Sequence, residues 1–593
     1  MRANAWLRTW RLAVAVVACS IASATQAAAA ESLLGKAPDF ELLDVAGKRH
    51  ASGEWTEAKA VVVMFLGTEC PLAKIYAGRV NQLAATYGPR GVRFVAIDAN
   101  VQDTAEEIAA FVRDNELQFP VLVDPGNTVA DRFGAVRTPE VFLIDGNRMV
   151  RYHGRVDDQY GVGVQRSEPT RRDLVEALDE LLAGKDVSQA ELPVAGCFIG
   201  RATKPTASDI IYSKHVARIF QQHCVECHRP GEIGPFPLTS YQETVGWGET
   251  IREVVSEGRM PPWFADPRHG KFFNDCRLSD EQKRQIGQWV AGGCPEGDPH
   301  DLPEPRQFVN GWNIAEPNLV LKMAQEPYHV PPEGVIDYQN FVIDPKFTED
   351  KWIVASEARP GNRAVVHHIL VFLKTPDDKD DILRGSLLAA YAPGSPPRTA
   401  HTKGLAKKIP AGSKIVMQIH YTPTGKAQDD LSSFGLVFCD AKEVTQVVES
   451  GWALNILFEI PPGAKDYKVL SQHRFADDRL LLAMTPHMHV RGKSFRYEAI
   501  YPDKRREILL DVPRWDFNWQ IDYELAEPKL MPKGTVIRCE AHYDNSADNP
   551  SNPDPKRAVR FGEQTWDEMM IGWFVACTLP ADTKTAQTKT SGP

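Results

Sequence analysis

Six side chains able to hold metal ions are scattered between residues 367 and 569, and no local structure can gather them. In order they read Val-Val-His367-His368-Ile, Gln-Ile-His420-Tyr, Thr-Pro-His487-Met488-His489-Val and Asp-Glu-Met569-Met570. A chain that brings them together needs a framework of long-range pairings, and the local pattern says which kind. From 315 to 580 short apolar or alternating runs are separated by Pro, Gly, Asn and Asp. The runs are 341–343, 365–372, 413–421, 434–439, 480–484, 494–501, 535–542 and 571–575. Such runs argue for antiparallel β-sandwiches. The length suits two, 315–455 and 456–580, with the break near 450–460.

On a strand, residues i and i+2 share a face, so His487 and His489 project together. His367 and His368 point to opposite faces of a regular strand, so sharing an ion requires a strand end or a bulge. His420 stands alone, and His542 reads as structural. Spacing alone leaves histidines satisfied by ordinary hydrogen bonds as the alternative. The donor types narrow the metal: imidazole suits several, but a thioether points to copper, above all Cu(I).

Upstream, Cys224-Val-Glu-Cys227-His228 is a covalent haem attachment motif, with His228 as axial ligand. A short helix, 215–224, runs into it. Arg259-Met260-Pro261-Pro262-Trp263 lies 32 residues on, and a last helix, 279–291, ends at Gly292-Gly293-Cys294. Residues 209–300 thereby resemble the class I c-type cytochromes. The resemblance implies an all-α domain with haem c on Cys224 and Cys227 and Met260 as sixth ligand; His215, His223 and His269 compete for that place. Cys276 and Cys294 flank the last helix, and a disulfide between them is expected.

Residues 35–200 alternate strands (60–66, 92–98, 121–123, 141–145) with helices (73–87, 105–115, 171–183), the pattern of a sheet with helices on both faces. Gly67-Thr68-Glu69-Cys70-Pro71 opens a helix, and Arg137-Thr138-Pro139 precedes a strand. This arrangement resembles the thioredoxin/peroxiredoxin superfamily, which implies a cis Pro139 facing the redox-active Cys70. A helix N-terminus favours the thiolate. The dithiol spacing is missed, because position 73 is Ala73, and Thr68 is only two residues before Cys70. Cys197 either resolves Cys70 or forms a structural disulfide with it, in a domain kept for docking.

The series His-His, His, His-x-His, Glu-Met is similar to the copper type II, ascorbate-dependent monooxygenases, whose two jelly-roll-like sandwiches each carry one copper. The resemblance implies an electron-transfer copper on His367, His368 and His420. It implies an oxygen-binding copper on His487, His489 and Met569, with Met570 the competing methionine. O2 would hydroxylate a C–H bond of an organic substrate, the second oxygen atom leaving as water. A one-electron donor, such as a periplasmic cytochrome or an ascorbate-like reductant, would feed the fused haem. Where the family has a cysteine after its methionine ligand, this chain has Met570. Cys539 then needs another partner, and Cys577 is the nearest.

Arg2, Arg8 and Arg11 precede an apolar run, and Ala28-Ala29-Ala30 ends it, the form of a secretory signal over 1–30. Val16-Val17-Ala18-Cys19 is a rival lipoprotein box that would anchor the chain through Cys19. No later run reaches the ~18–20 apolar residues of a membrane span. A periplasmic or exported location is expected, where disulfides persist. Net charge is −10 with no basic run, which argues against a nucleic-acid partner. Residues 581–593 are expected to be disordered. The expected function is an exported copper monooxygenase fed through haem c. The alternative is a non-oxygenase redox or copper-handling protein whose redoxin domain acts on thiols or peroxide.

Overall fold

The computed structural model describes residues 32–580 except 167, 203, 207, 310, 333, 335, 379–385 and 393–397. The expected leader 1–30 with Cys19, and the tail 581–593, lie outside the described residues.

All seven side chains of Ala60–Leu66 are buried, so this strand belongs inside a sheet covered on both faces. It pairs parallel with Val92–Asp98 and antiparallel with Glu140–Asp145. Among the described residues the sheet has eight strands. Their order is Gly35–Lys36, Met149–Gly154, Glu140–Asp145, Ala60–Leu66, Val92–Asp98, Val121–Val123, Glu41–Asp44 and Arg49–Ala51. Helices Pro71–Tyr87, Ala105–Asp114 and Asp173–Leu182 pack on one face. Helix Thr128–Phe133 packs on the other. This is the thioredoxin-like α/β domain expected.

The next unit holds Ala217–His223, Tyr241–Val245, Gly248–Ser256 and Asp280–Ala291 around buried Phe220, Ile286 and Trp289. Its last helix starts at Ser279, whose hydroxyl and Gln282 form a capping box. The stretches 224–240 and 257–279 hold no helix among the described residues. The unit is therefore poorer in helix than the all-α class expected of it. Pro230, Pro235, Pro237, Pro261, Pro262 and Pro267 explain this, since proline removes a helical donor and clashes with the preceding turn. Part of the second stretch joins the β-rich region instead. Phe273 N–H donates to Glu524 O at 2.8 Å, and Ala526 N–H to Lys271 O at 2.9 Å.

The remainder is β-rich. One four-stranded sheet runs Gln339–Ile343, Lys414–Tyr421, Val366–Lys374, Ser386–Tyr391, and another runs Tyr467–Arg474, Val536–Tyr543, Gly492–Ile500, Arg506–Val512. Each faces part of one long sheet that crosses both halves. Gln446–Leu454 makes the crossing, parallel to Leu405–Ile409 on one side and antiparallel to Ile571–Thr578 on the other. No helix among the described residues is long and apolar enough to cross a membrane.

Candidate active site and metal centre

Cys70 is the residue before helix Pro71–Tyr87, and Pro71 fills the helix's first position. Its thiol donates to Thr138 O at 2.9 Å, and the Thr138–Pro139 bond is cis. Cys197 is set opposite Thr138 by an antiparallel pairing of Cys197–Phe198 with Arg137–Thr138. Burial pushes the Cys70 thiol up, but the side chains of Cys197 and Thr138, as hydrogen-bond donors to the thiolate, outweigh it and hold it lowered at about 6. Cys197 moves the opposite way, chiefly through that same bond to Cys70. The two thiols are free, not joined.

The other cysteines depart from expectation. Cys276 and Cys294 are both free. Cys294 faces Gly248 of the neighbouring helix, while Cys276 lies 3.9 Å from Pro262 O. The Cys276 thiol is pushed up to about 12 by burial and by the neighbouring Asp275 carboxylate. Cys539 and Cys577 are free as well. The sulfur of Cys539 rests against Gly572, and that of Cys577 lies 3.5 Å from Gln446 Nε2.

In the helical unit, His228 Nδ1 is 2.9 Å from Phe236 O. A carbonyl only accepts, so Nδ1 carries the proton and Nε2 is left for a ligand bond. Burial lowers the His228 pKa, which keeps the ring neutral. Those features fit an axial haem ligand beside two thiols. His223 binds Cys276 O and Gln282 instead, and His215 Nδ1 accepts the N–H of Ile211.

The strongest convergence is between the sandwiches. One ligand atom each from His367, His368 and His420 lie within 4.8 Å of one another. A register shift between Val366 and His368 removes His367 from the ladder and brings its ring to the His368 side. His368 and His420 are direct cross-strand partners. All three are kept neutral by burial, His367 lowered to about 4 and the others further by neighbouring imidazoles. His420 Nδ1 is buried without a hydrogen-bond partner among the described residues. Neutral, converging imidazoles, His368 buried and the other two partly so, with an orphaned nitrogen on His420, fit a transition-metal site.

The second set is built differently from the expected strand. Strand Arg479–His487 ends at His487, and His489 lies in the loop beyond. The cause is Glu568, fully buried, whose carboxylate accepts the main-chain N–H groups of His489, Arg491 and Met569 at 2.8, 2.7 and 3.2 Å. The imidazoles of His487 and His489 are perpendicular, 5.4 Å apart. His487 Nδ1 must donate to Gln520 Oε1 at 2.7 Å, which leaves its Nε2 available, and His489 Nε2 is buried without a partner among the described residues. Met569 packs with Phe372 and Val416 of the first sandwich, and Met570 points into the second sandwich's core. His542 is held by Asp466 and Glu540, away from both sets.

Phe517 joins the two sets, stacked on His367 with centroids 5.9 Å apart and edge-on to His489 at 6.2 Å. A cavity of about 630 Å³ opens beside it, walled by Arg166, Met260, His367, His420, Trp515 and Trp566 among others, so every structural unit contributes. The sequence motifs contained Glu568 and Arg137 without giving either a role, and Phe517 and Gln520 were missed. Their roles carry no spacing signal, because each acts through a contact made by folding.

The sequence profile of the AhpC/TSA family matches residues 34–153. Thiol-disulfide oxidoreductase ResA of Bacillus thuringiensis subsp. konkukian is 34% identical over 113 residues, 19% of this chain and 64% of that protein. The chain thus spans slightly under two thirds of that relative. ResA of Halalkalibacterium halodurans is 30% identical over 156 residues, 26% of this chain and 87% of that protein. Among solved structures, a hypothetical protein of Sinorhizobium meliloti is 33% identical and covers 29% of this chain and 95% of its own, with a TM-score of 0.27.

Proposed function

Through its N-terminal domain the chain belongs to the AhpC/TSA family, and from that premise we propose an exported oxidoreductase in which a thiol couple is joined to a copper-holding double sandwich. The pairing that sets Cys197 opposite Thr138, whose carbonyl accepts the Cys70 thiol at 2.9 Å, carries this reading. Cys70, lowered to about 6, is the nucleophile, and Cys197 is the partner that completes or releases a disulfide. The three imidazoles of His367, His368 and His420 support the copper part. The test is thiol mapping and elemental analysis of the purified full chain. A reversible Cys70–Cys197 disulfide and bound copper lost in His420→Ala are expected. A chain whose two thiols never pair, or which holds no copper, refutes the corresponding half.

A second reading makes the sandwiches a copper-dependent monooxygenase, favoured by the buried Nε2 of His489, unpartnered among the described residues, beside His487 and across Phe517 from the first set. His487, His489 and Met569 would hold the second copper, and the thioether would favour Cu(I). Copper bound there would supply one-electron and O2 chemistry for hydroxylating a C–H bond. The chain's part is to keep both sets neutral, and Phe517 lies between them. Cys224, Cys227, His228 and Met260 would hold haem c; Met260 shares the large cavity with His367 and His420, which supports an electron path between them. Substrate-dependent O2 uptake lost in His489→Ala, with two coppers and one haem per chain, is the expected result. Zinc in place of copper, or uptake indifferent to His489, sinks this reading.

A further inference from the structure

The open edge beside Cys70 is filled by the chain's own linker. Cys197–Phe198 pairs antiparallel with Arg137–Thr138, and Ile199 N–H continues the ladder to Val136 O at 2.9 Å. Gly196 leads in with φ +139°, where a Cβ would stand 2.0 Å from Thr138 O, so only glycine allows this approach. Arg137 donates to Gly196 O at 2.7 Å and lies 4.0 Å above the Phe198 ring. Phe198 N–H donates to Thr250 Oγ1 at 3.0 Å, which ties the strand to the helical unit. Beyond it, Gly200 N–H donates to Asn100 Oδ1 at 3.0 Å, and Asn100 Nδ2 donates to Leu66 O at 2.9 Å, just before the Cys70 loop. Ile199 is buried in the N-terminal core. These contacts come from three sides and describe a fixed strand.

Extended peptides dock by adding a strand to an open edge, where main-chain hydrogen bonds supply affinity. Next to Cys70 that place already holds a cysteine-bearing strand. We propose that Cys197–Phe198 permanently occupies the peptide-docking edge, so that the couple accepts small disulfides and excludes protein disulfides as substrates. This rests on the thiol half of the proposed function. A groove of about 200 Å³ remains beside Leu72, Pro139 and Ala195. Pro550 of the second sandwich lines it, and Ser551 Oγ donates to Gly163 O at 2.9 Å, so the neighbouring surface is also covered. In the reaction the Cys70 thiolate attacks one sulfur of the small disulfide. That S–S bond breaks, one thiolate leaves, and a mixed disulfide forms on Cys70. Cys197 then loses its proton to the departed thiolate and attacks the Cys70 sulfur, releasing the second thiolate, which takes a proton from water. Two protein thiols are oxidised, and one disulfide is reduced to two small thiols.

The test uses the reduced full chain with hydroxyethyl disulfide and with insulin. Hydroxyethyl disulfide is expected to generate the Cys70–Cys197 disulfide, read by peptide mass mapping. Insulin is expected to react about 100-fold more slowly, because its chain must displace two or three main-chain hydrogen bonds of the occupying strand to dock. A Phe198→Ser, Thr250→Val variant, which loosens the strand, should narrow that gap by about tenfold. Equal wild-type rates on both substrates overturn the proposal, as does fast hydrogen exchange at the Ile199 amide, a readout that needs no variant. No oxidation by hydroxyethyl disulfide overturns the thiol half of the proposed function itself.

Discussion

Arg137 and Glu253 bridge two structural units, with guanidinium Nη2 2.5 Å from carboxylate Oε1. Arg137 also holds the linker strand, and Glu253 takes a second bond from Arg259 at 2.9 Å, one residue before Met260. The pair therefore links the thiol couple to the loop that lines the large cavity. Burial pushes the Glu253 carboxyl up, but the Arg137 bond outweighs it and holds the pKa below its ordinary value. A depressed carboxylate stabilises the fold above its unfolded pKa and loses that contribution as pH falls through the lower folded value. Glu253→Gln is expected to lower stability by about 1–2 kcal/mol at pH 7, a difference that shrinks as pH falls through and below the ordinary carboxylate range. Paired unfolding curves at the two ends of that range check it, and a gap that widens in acid contradicts the pairing.

The thiol couple gives a titration with a clear direction. Cys70 is expected to develop thiolate absorbance with a midpoint near 6, against an ordinary value of 9.0. In Cys197→Ala the largest lowering bond disappears while burial stays, so the midpoint should move upward. An unchanged midpoint would assign the shift to the helix N-terminus, the cause that sequence position alone offers.

Where periodicity decides structure, the sequence was readable. Ala60–Leu66, Val92–Asp98 and Glu140–Asp145 follow from apolar runs, and Cys70-Pro71 from helix-start chemistry. The adjacency of His367 and His368 already demanded a break in strand regularity, and the register shift supplies it. What was not readable depends on pairings distant in sequence. Nothing local reveals that Gln446–Leu454 carries one sheet across both sandwiches, or that Glu568 ends the strand before His489. Cys276 and Cys294 looked like a clamp because they flank a helix, yet their thiols face different neighbours.

Glu568 concentrates structural dependence in one carboxylate. It accepts three main-chain N–H groups, and the buried Arg491 guanidinium nearby is held by Asn545 Oδ1 and Trp566 O. Burial pushes the Glu568 carboxyl up to about 7, so the loss on deleting it is that of an acceptor, about 1–3 kcal/mol for each buried N–H left unpaired. Glu568→Ala is expected to destabilise the chain by that order and to disorder the His489 loop. Hydrogen exchange at the His489 and Arg491 amides separates this from a general effect: both should exchange faster than the core of Val536–Tyr543. Unaltered protection at those amides would show that the loop holds itself.

Phe517 offers a test of whether the two imidazole sets behave as one centre. Its ring lies 11° from parallel with His367 and 90° from His489, and it also approaches His420 at 6.4 Å. On the copper reading, chelation and reconstitution should return metal to the wild type, and His420→Ala should weaken the first site by more than about 100-fold, beyond what loss of a supporting contact does. Phe517→Ala removes no ligand, so copper content should persist. It removes the wall between the sets, so the paramagnetic resonance spectra of both sites should change together, and Phe517→Leu should restore part of the wild-type pattern. A change confined to one site would mean that the ring serves a single imidazole set and that the contact across it transmits nothing.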